Sequence, residues 1–202
     1  NTVAVRLGQE VGPKTVVQTA QRLGISSPLQ ANGSIALGTS EVTPLEMVGA
    51  YAAFANGGTG VIPYVIASVK SADGKVLYRR KDGGLGRVID ASAVSMMNAM
   101  MRETLLTGTA RKAEIPGWEA ASKTGTSQDF RDAWFVGFSP DLVVGVYVGF
   151  DTPTEMGSGE AGGRVAAPVV RDFLVTALDN YPVAPFRVPE GVRLVPIDYR
   201  TG

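Results

Sequence analysis

The pattern of apolar and polar positions predicts two short helices within the first 25 residues. The dipeptide Gly12-Pro13 separates them, with the proline in the first turn of the second helix, and Gly24 ends that helix. Residues 26–40 are rich in Ser, Gly, Asn and Pro, a composition typical of a loop.

The clearest helix follows this loop. Thr43 is placed as its N-cap, Pro44 lies in the first turn, and Glu46 completes a capping box. Asn56-Gly57-Gly58 ends the helix. Its apolar stripe is broad, so we expect burial on most sides.

The middle of the chain is predicted to form a hairpin and a longer helix. Val61 to Val69 and Lys75 to Arg80 have the composition of two strands around a Ser-Ala-Asp-Gly turn. Asp90 is placed to cap a helix that reaches about Leu106. Four methionines lie at helical spacing on it, and we expect them to fill the core: Met96, Met97, Met100 and Met101.

The last third of the chain is rich in predicted strands. One covers residues 118–126, and two more, 133–138 and 142–150, form a hairpin. If Phe138 faces Leu142, both faces of the hairpin are apolar and its glycines collect on one face. We therefore expect elements to cover both faces, with a close approach on the glycine side. A helix over 165–178 would supply one cover, and 188–197 would form a final strand or extended tail.

Composition excludes several classes of function. The 202 residues contain 19 Lys and Arg against 19 Asp and Glu, so the basic excess of a nucleic-acid-binding protein is absent. The chain has no His and no Cys, which excludes a Ser-His-Asp triad, a thiolate nucleophile and the usual His-type zinc site. We expect one domain, or one domain with a small appendage, and no metal or cofactor. Asn1 opens directly on a helical pattern, and we interpret this as the cut end of a longer chain.

The segment most suited to chemistry is Lys123-Thr124-Gly125-Thr126. In a strand, Thr124 and Thr126 point to the same side, and the glycine lets a substrate backbone approach. Two hydroxyls and an ammonium can bind a carboxylate, and the N–H of Thr126 can stabilise an oxyanion. Taken alone, the four residues also fit an ordinary turn at the start of a hairpin.

A nucleotide-binding loop is a weaker alternative. Residues 117–124 differ from the pattern G-x-x-x-x-G-K-T by one position. Ser122 replaces the glycine whose conformational freedom the phosphate cradle needs, and Gly125-Thr126-Ser127 ends a helix rather than opening one.

Residues 121–126 and 131–138 resemble the third active-site motif and the following strands of class A penicillin-binding proteins. The resemblance extends over nearly the whole chain, including residues 36–58 and Gly162-Gly163 with Ala166-Ala167-Pro168. It implies an α/β fold of the α+β type, in which helices cover both faces of an antiparallel sheet, as in serine β-lactamases and penicillin-binding transpeptidases. Residues 1–202 would be the C-terminal portion of that domain, with its N-terminal part missing and an extended tail from about residue 185.

The family has three motifs, S-x-x-K, S-x-N and K-T-G-T/S. The third is complete here, and the second is expected to survive only as Asn1. The first is absent. Its nearest look-alike, Thr109-Ala110-Arg111-Lys112, follows the Met-rich helix in a loop where the family has no nucleophile. The resemblance therefore implies that the nucleophilic Ser and its Lys base lie outside this chain.

The resemblance also implies roles for individual residues. Thr124, Gly125 and Thr126 would hold the substrate carboxylate, with the Thr126 N–H as half of an oxyanion hole. Lys123 would supply positive potential and assist proton transfer, and Asn1 would bind the donor peptide and the absent lysine. The acceptor side would be lined by Trp118, Phe130 and the loop 152–164.

The implied activity is D,D-transpeptidation: serine acyl transfer on D-Ala-D-Ala stem peptides, which cross-links the cell wall and is blocked by β-lactam antibiotics. The intact protein would also carry a glycosyltransferase and be periplasmic, anchored to the inner membrane. This chain alone would be inactive without the N-terminal part of its domain. The alternatives are a serine β-lactamase or β-lactam sensor, and a non-catalytic module that binds cell-wall peptides.

Overall fold

The structure is a computed structural model that describes residues 1–81, 83–193 and 195–198. Its helices are, in chain order, α1 (Thr2–Val11), α2 (Pro13–Arg22), α3 (Pro44–Ala55), α4 (Ala91–Leu106), α5 (Gly162–Val165) and α6 (Ala167–Leu178). Its strands are β1 (Thr59–Gly60), β2 (Ser68–Lys70), β3 (Val76–Arg79), β4 (Gly86–Arg87), β5 (Ala121–Thr126), β6 (Asp132–Phe138) and β7 (Val143–Gly149). None of the helices within the described ranges is long and apolar enough to cross a membrane.

The capping box at the start of α3 is confirmed. The Thr43 hydroxyl accepts from the N–H of Glu46 at 3.2 Å, and the Glu46 carboxylate accepts from the N–H of Thr43 at 2.9 Å. The same carboxylate accepts from the backbone and hydroxyl groups of Ser26 and Ser27, at 2.6–2.8 Å. One side chain thus caps α3 and fastens the loop that follows α2.

The predicted strand over 61–69 is wrong for most of its length. Only β2 forms at its end, paired antiparallel with β3, while β1 lies before it and pairs with β4. Pro63 stands between β1 and β2, and a proline has no N–H to donate to a ladder. The second predicted strand is confirmed as β3.

The main sheet is antiparallel with the order β5-β6-β7. Its hairpin register differs by one residue from the prediction, because Phe138 pairs with Val143. Leu142 belongs to the turn: its carbonyl accepts from the N–H of Ser139 at 2.9 Å. A shift of one residue turns every side chain of a strand to the other face. Gly137 and Gly145 therefore lie on opposite faces.

Helices cover both faces of the sheet, as predicted. On one face, a Cβ at Gly137 would lie 3.0 Å from Val170 of α6. On the other, a Cβ at Gly145 would lie 2.6 Å from Val48 of α3. Each glycine therefore sits beneath its own helix, whereas the predicted register put both beneath one element.

The expectation that all four methionines fill the core is wrong. Of the four methionines only Met101 is buried, because α4 packs through one stripe at helical spacing: Val94, Asn98, Met101 and Leu105. The others are exposed, Met100 by 58%. The broad burial expected for α3 agrees with the structure: Gly49, Ala50 and Ala53 are buried, and Tyr51 and Phe54 pack partly buried against the core.

The C-terminal elements agree in part with the predictions. The helix expected over 165–178 is α6, preceded by the separate short helix α5. Residues 188–193 and 195–197, the described part of the predicted final strand, form no strand. The predicted tail from 185 also includes residues 199–202, which lie outside the described residues. Phe186 is held inside the fold, with its ring centroid 5.6 Å from that of Phe138.

Candidate functional site

Strand β5 carries the Lys-Thr-Gly-Thr segment at the edge of the sheet. Among the described strands it pairs only with β6. Just beyond the strand, the N–H of Ser127 donates to the carbonyl of Asp132 at 3.0 Å. Bonded and non-bonded pairs alternate in an antiparallel ladder, so the backbone groups of Thr124 and Thr126 point away from β6.

Two side-chain contacts agree with this alternation. The carbonyl of Ser122 accepts from the Thr104 hydroxyl at 3.0 Å. The carbonyl of Thr124 accepts from Nζ of Lys123 at 2.7 Å. The N–H of Thr126 points to the same open edge, and within the described ranges no acceptor is found for it. The edge therefore offers one backbone donor beside an ammonium group.

The Lys123 side chain leaves the strand on the face opposite Thr124 and Thr126, because neighbouring side chains alternate. Its ammonium group nevertheless reaches the open edge of the strand, where it donates to the Thr124 carbonyl. Desolvation by partial burial lowers the pKa of the Lys123 ammonium from its ordinary value of 10.5. The charge and the two threonines therefore meet at one strand edge.

The two threonine hydroxyls of β5 are each held from outside the strand. Oγ1 of Thr126 accepts from the N–H of Gly162 at 3.1 Å. Oγ1 of Thr124 lies 2.9 Å from Oγ1 of Thr109, in the loop after α4. Both hydroxyls keep hydrogen-bonding capacity, since a hydroxyl has one proton and accepts up to two hydrogen bonds.

Gly162 and Gly163 allow α5 to lie against the sheet. A Cβ at Gly162 would clash with the carbonyl of Trp134 and would lie 2.5 Å from that of Gly125. A Cβ at Gly163 would clash with the carbonyl of Thr109. Gly125 is itself close to its neighbour strand, where a Cβ would lie 3.0 Å from Trp134. The Gly-Gly pair is therefore required for the contact that orients Thr126.

The loop 152–164 lies beside the Thr126 end of β5, as does Phe130. The N–H of Met156 donates to the carbonyl of Phe130 at 3.1 Å. Asp129 and Phe130 hold the turn after β5 with positive φ values of 58° and 51°. The structure thus brings this loop and Phe130 to the same end of the strand as the threonines.

Trp118 is not brought to that end. Trp118 is partly buried against the apolar cluster around Leu105 and Ile115, before the start of β5. At about 3.3 Å per residue, the strand separates its two ends by roughly 17 Å. Asn1 precedes α1, which packs on α2 and the short turn at 35–37, and its side chain does not cap that helix. In the described part of the chain no hydrogen bond joins Asn1 to Lys123.

The nucleotide-loop alternative does not fit this geometry. Lys123 lies inside β5, and the chain continues as a strand to Thr126. A phosphate-binding loop needs a helix N-terminus directed at the phosphate immediately after the lysine. What sequence reasoning missed is the contact of Thr109 with Thr124, because no local pattern relates residues 15 positions apart in a loop and a strand.

Comparisons with known proteins agree with this geometry. A family model described as the penicillin-binding protein transpeptidase domain matches residues 1–175. The chain is 34% identical over 224 residues to "Penicillin-binding protein 1A" of Rickettsia conorii, covering 100% of this chain and 28% of that protein. The chain thus spans little more than a quarter of that relative's length.

Solved structures share the fold. Penicillin-binding protein 1A from Haemophilus influenzae matches with a TM-score of 0.86 and 28% identity, covering 94% of this chain and 34% of that one. PonA1 from Mycobacterium tuberculosis in complex with penicillin V matches with a TM-score of 0.80 and 28% identity, covering 93% and 56%. The α/β fold inferred from the sequence is confirmed. Since the family model matches most of its length, this chain belongs to the penicillin-binding protein transpeptidase domain family, as the class A resemblance of its motifs predicted.

Proposed function

We propose that residues 1–202 are the C-terminal portion of a peptidoglycan D,D-transpeptidase domain that acts on D-Ala-D-Ala stem peptides by serine acyl transfer. The nucleophilic serine and its lysine base come from sequence outside this chain, which contains no S-x-x-K segment. Membership of the transpeptidase family supports this reaction class.

The observation that carries the proposal is the open edge of β5. Attack of the serine hydroxyl on the penultimate D-Ala carbonyl creates an oxyanion. The N–H of Thr126, which points away from β6, is free to stabilise it. The lysine base would take the serine proton during the attack. Collapse of the intermediate then breaks the C–N bond, that proton passes to the leaving nitrogen, and the terminal D-Ala departs as the amine while the acyl group stays on the serine.

The terminal carboxylate of the stem peptide would bind beside this donor. Thr124 and Thr126 present hydroxyls on one face, Gly125 adds no side chain between them, and Lys123 contributes positive charge at the edge. A carboxylate accepts hydrogen bonds only, which suits these donors. Penicillins also carry a carboxylate, which would bind the same donors, and the complex of PonA1 with penicillin V supports β-lactam binding by this domain.

Asn1 is proposed to bind the donor peptide and the lysine base supplied by the rest of the domain. Trp118 packs against the apolar cluster near Leu105, which supports a part in packing rather than in substrate binding. Phe130 and the loop 152–164 remain proposed to line the acceptor side, since they adjoin Thr126.

In the intact protein this domain would lie in the periplasm, where peptidoglycan is cross-linked. Its likeness to penicillin-binding protein 1A over 28% of that relative supports an anchor in the inner membrane and a glycosyltransferase outside this chain. Both are proposed for the whole protein only.

Labelling with penicillin tests the proposal. The full-length protein should gain one penicillin per molecule in intact-mass spectrometry and hold it for many minutes, whereas isolated residues 1–202 should gain none. A stoichiometric adduct on the isolated chain would show that the nucleophile lies within it. Rapid penicillin hydrolysis by the full-length protein would indicate a β-lactamase instead, and no labelling at all would indicate a binding module.

A further inference from the structure

Thr109 reaches the candidate carboxylate site from a loop that the family motifs do not include. Its hydroxyl lies 2.9 Å from that of Thr124. The loop is anchored behind it, because Ala110 is fully buried and its N–H donates to the carbonyl of Thr104 at 3.0 Å. Gly163 packs so closely on the Thr109 carbonyl that a Cβ there would clash. Thr109 is thus held between α4 and α5, facing β5.

The directions of the hydrogen bonds follow from counting protons. Each threonine hydroxyl donates one hydrogen bond and accepts up to two. Thr126 accepts from the N–H of Gly162, which leaves its own proton for a ligand. Thr124 has the same freedom only when Thr109 is the donor in their shared hydrogen bond.

A bound carboxylate selects this direction because it accepts hydrogen bonds and donates none. Thr109 then donates to Thr124, and Thr124 donates to one carboxylate oxygen. In the same way, the N–H of Gly162 donates to Thr126, and Thr126 donates to the carboxylate. Successive hydrogen bonds polarise one another, so the outer donor strengthens the inner one.

We propose that Thr109 is a positioning residue of the carboxylate site: its hydroxyl donates to Thr124 and directs the Thr124 proton to the carboxylate of the substrate or β-lactam. The inference rests on the proposed function, since it requires a ligand carboxylate at this strand. It assigns a role to a residue outside the Lys-Thr-Gly-Thr segment.

The test compares acylation of the full-length protein by benzylpenicillin and by its methyl ester, which lacks the carboxylate charge. Thr109→Val keeps the shape of the side chain and removes the hydroxyl. Its acylation efficiency should fall roughly three- to tenfold for benzylpenicillin, the size of one hydrogen bond, and by clearly less for the ester, whose neutral carbonyl accepts only a weaker hydrogen bond. Thr109→Ser should restore the wild-type ratio between the two ligands.

Thr107→Val is the matched control. The Thr107 hydroxyl lies in the same loop but donates to Glu103 of α4 at 2.8 Å, so neither ligand should be affected. Equal losses for both ligands in Thr109→Val, or no loss for either, would overturn the inference while the proposed function stands. Failure of the wild-type protein to react with benzylpenicillin would instead refute the proposed function, and the inference with it.

Discussion

Val48 of α3 lies directly over Gly145 of β7. A Cβ at position 145 would come within 2.6 Å of Cγ2 of Val48, closer than side chains pack. Gly145 pairs with Val136, and Val136 pairs with Lys123, so the three residues form one row across the sheet. The contact of Val48 with Gly145 therefore sets the distance between α3 and the sheet, and it lies on β7, two strands away from the candidate site on β5.

Gly145→Ala is expected to destabilise the protein by about 1–3 kcal/mol, because the added methyl group overpacks a close contact. Val48→Ala in the same background should recover part of the loss, and urea unfolding of both single variants and the double variant measures the coupling. Gly83→Ala is the control, since the space around Gly83 is open. Strictly additive effects of the two substitutions would contradict the contact.

Glu46 is expected to make stability depend on pH in the acid range. Hydrogen bonds from Ser26, Ser27 and Thr43 hold the pKa of its carboxyl well below its ordinary value of 4.5. A group whose pKa is lowered by folding stabilises the protein above its unfolded-state pKa, and that stability is lost as the pH falls towards the folded-state value. The melting temperature should therefore drop as the pH falls from about 5 to about 3.

Glu46→Gln should flatten this acid dependence, because an amide does not ionise in that range. Thermal unfolding followed by circular dichroism at each pH provides the measurement. Glu41→Gln removes an exposed carboxylate just before α3 and should leave the profile unchanged. An acid dependence in Glu46→Gln equal to that of wild type would show that this carboxylate does not contribute.

Lys123 is expected to control acylation of the full-length protein through its charge. Lys123→Ala should lower the rate of penicillin labelling by on the order of 10²-fold, as for the loss of an electrostatic contact to the reacting group. Desolvation lowers the pKa of the ammonium from 10.5, and the charge is lost as the pH rises through the lowered value. The alkaline limb of the labelling profile should therefore lie below pH 10.5.

The variant Lys123→Arg distinguishes two roles of this residue, the supply of positive charge and the transfer of a proton. A guanidinium stays protonated throughout this range, so the variant should lose the alkaline limb if charge alone matters. Labelling rates are measured by quenched single-turnover mass spectrometry from neutral to alkaline pH. Wild-type labelling rates for Lys123→Ala would contradict the role assigned to this lysine.

Local chemistry made several features predictable. The capping box of Thr43 and Glu46 involves residues three apart, so its geometry follows from the helix itself. The shared face of Thr124 and Thr126 follows equally from strand alternation. The register between β6 and β7 did not follow, because Ser139 and Leu142 close the turn with a hydrogen bond that moves the pairing by one residue.

The amino-acid sequence by itself determined the approximate positions of β5, β6, β7 and α6, and it singled out residues 123–126, to which the proposed chemistry is assigned, because these patterns depend on neighbours a few positions apart. Tertiary structure alone decided which methionine is buried, which face each glycine occupies, and which donors hold the threonine hydroxyls. Thr109 reaches Thr124 from the loop after α4, 15 residues away in sequence, and Gly162 reaches Thr126 from the first residue of α5, 36 residues away. Only packing of α4 and α5 against the sheet brings them there.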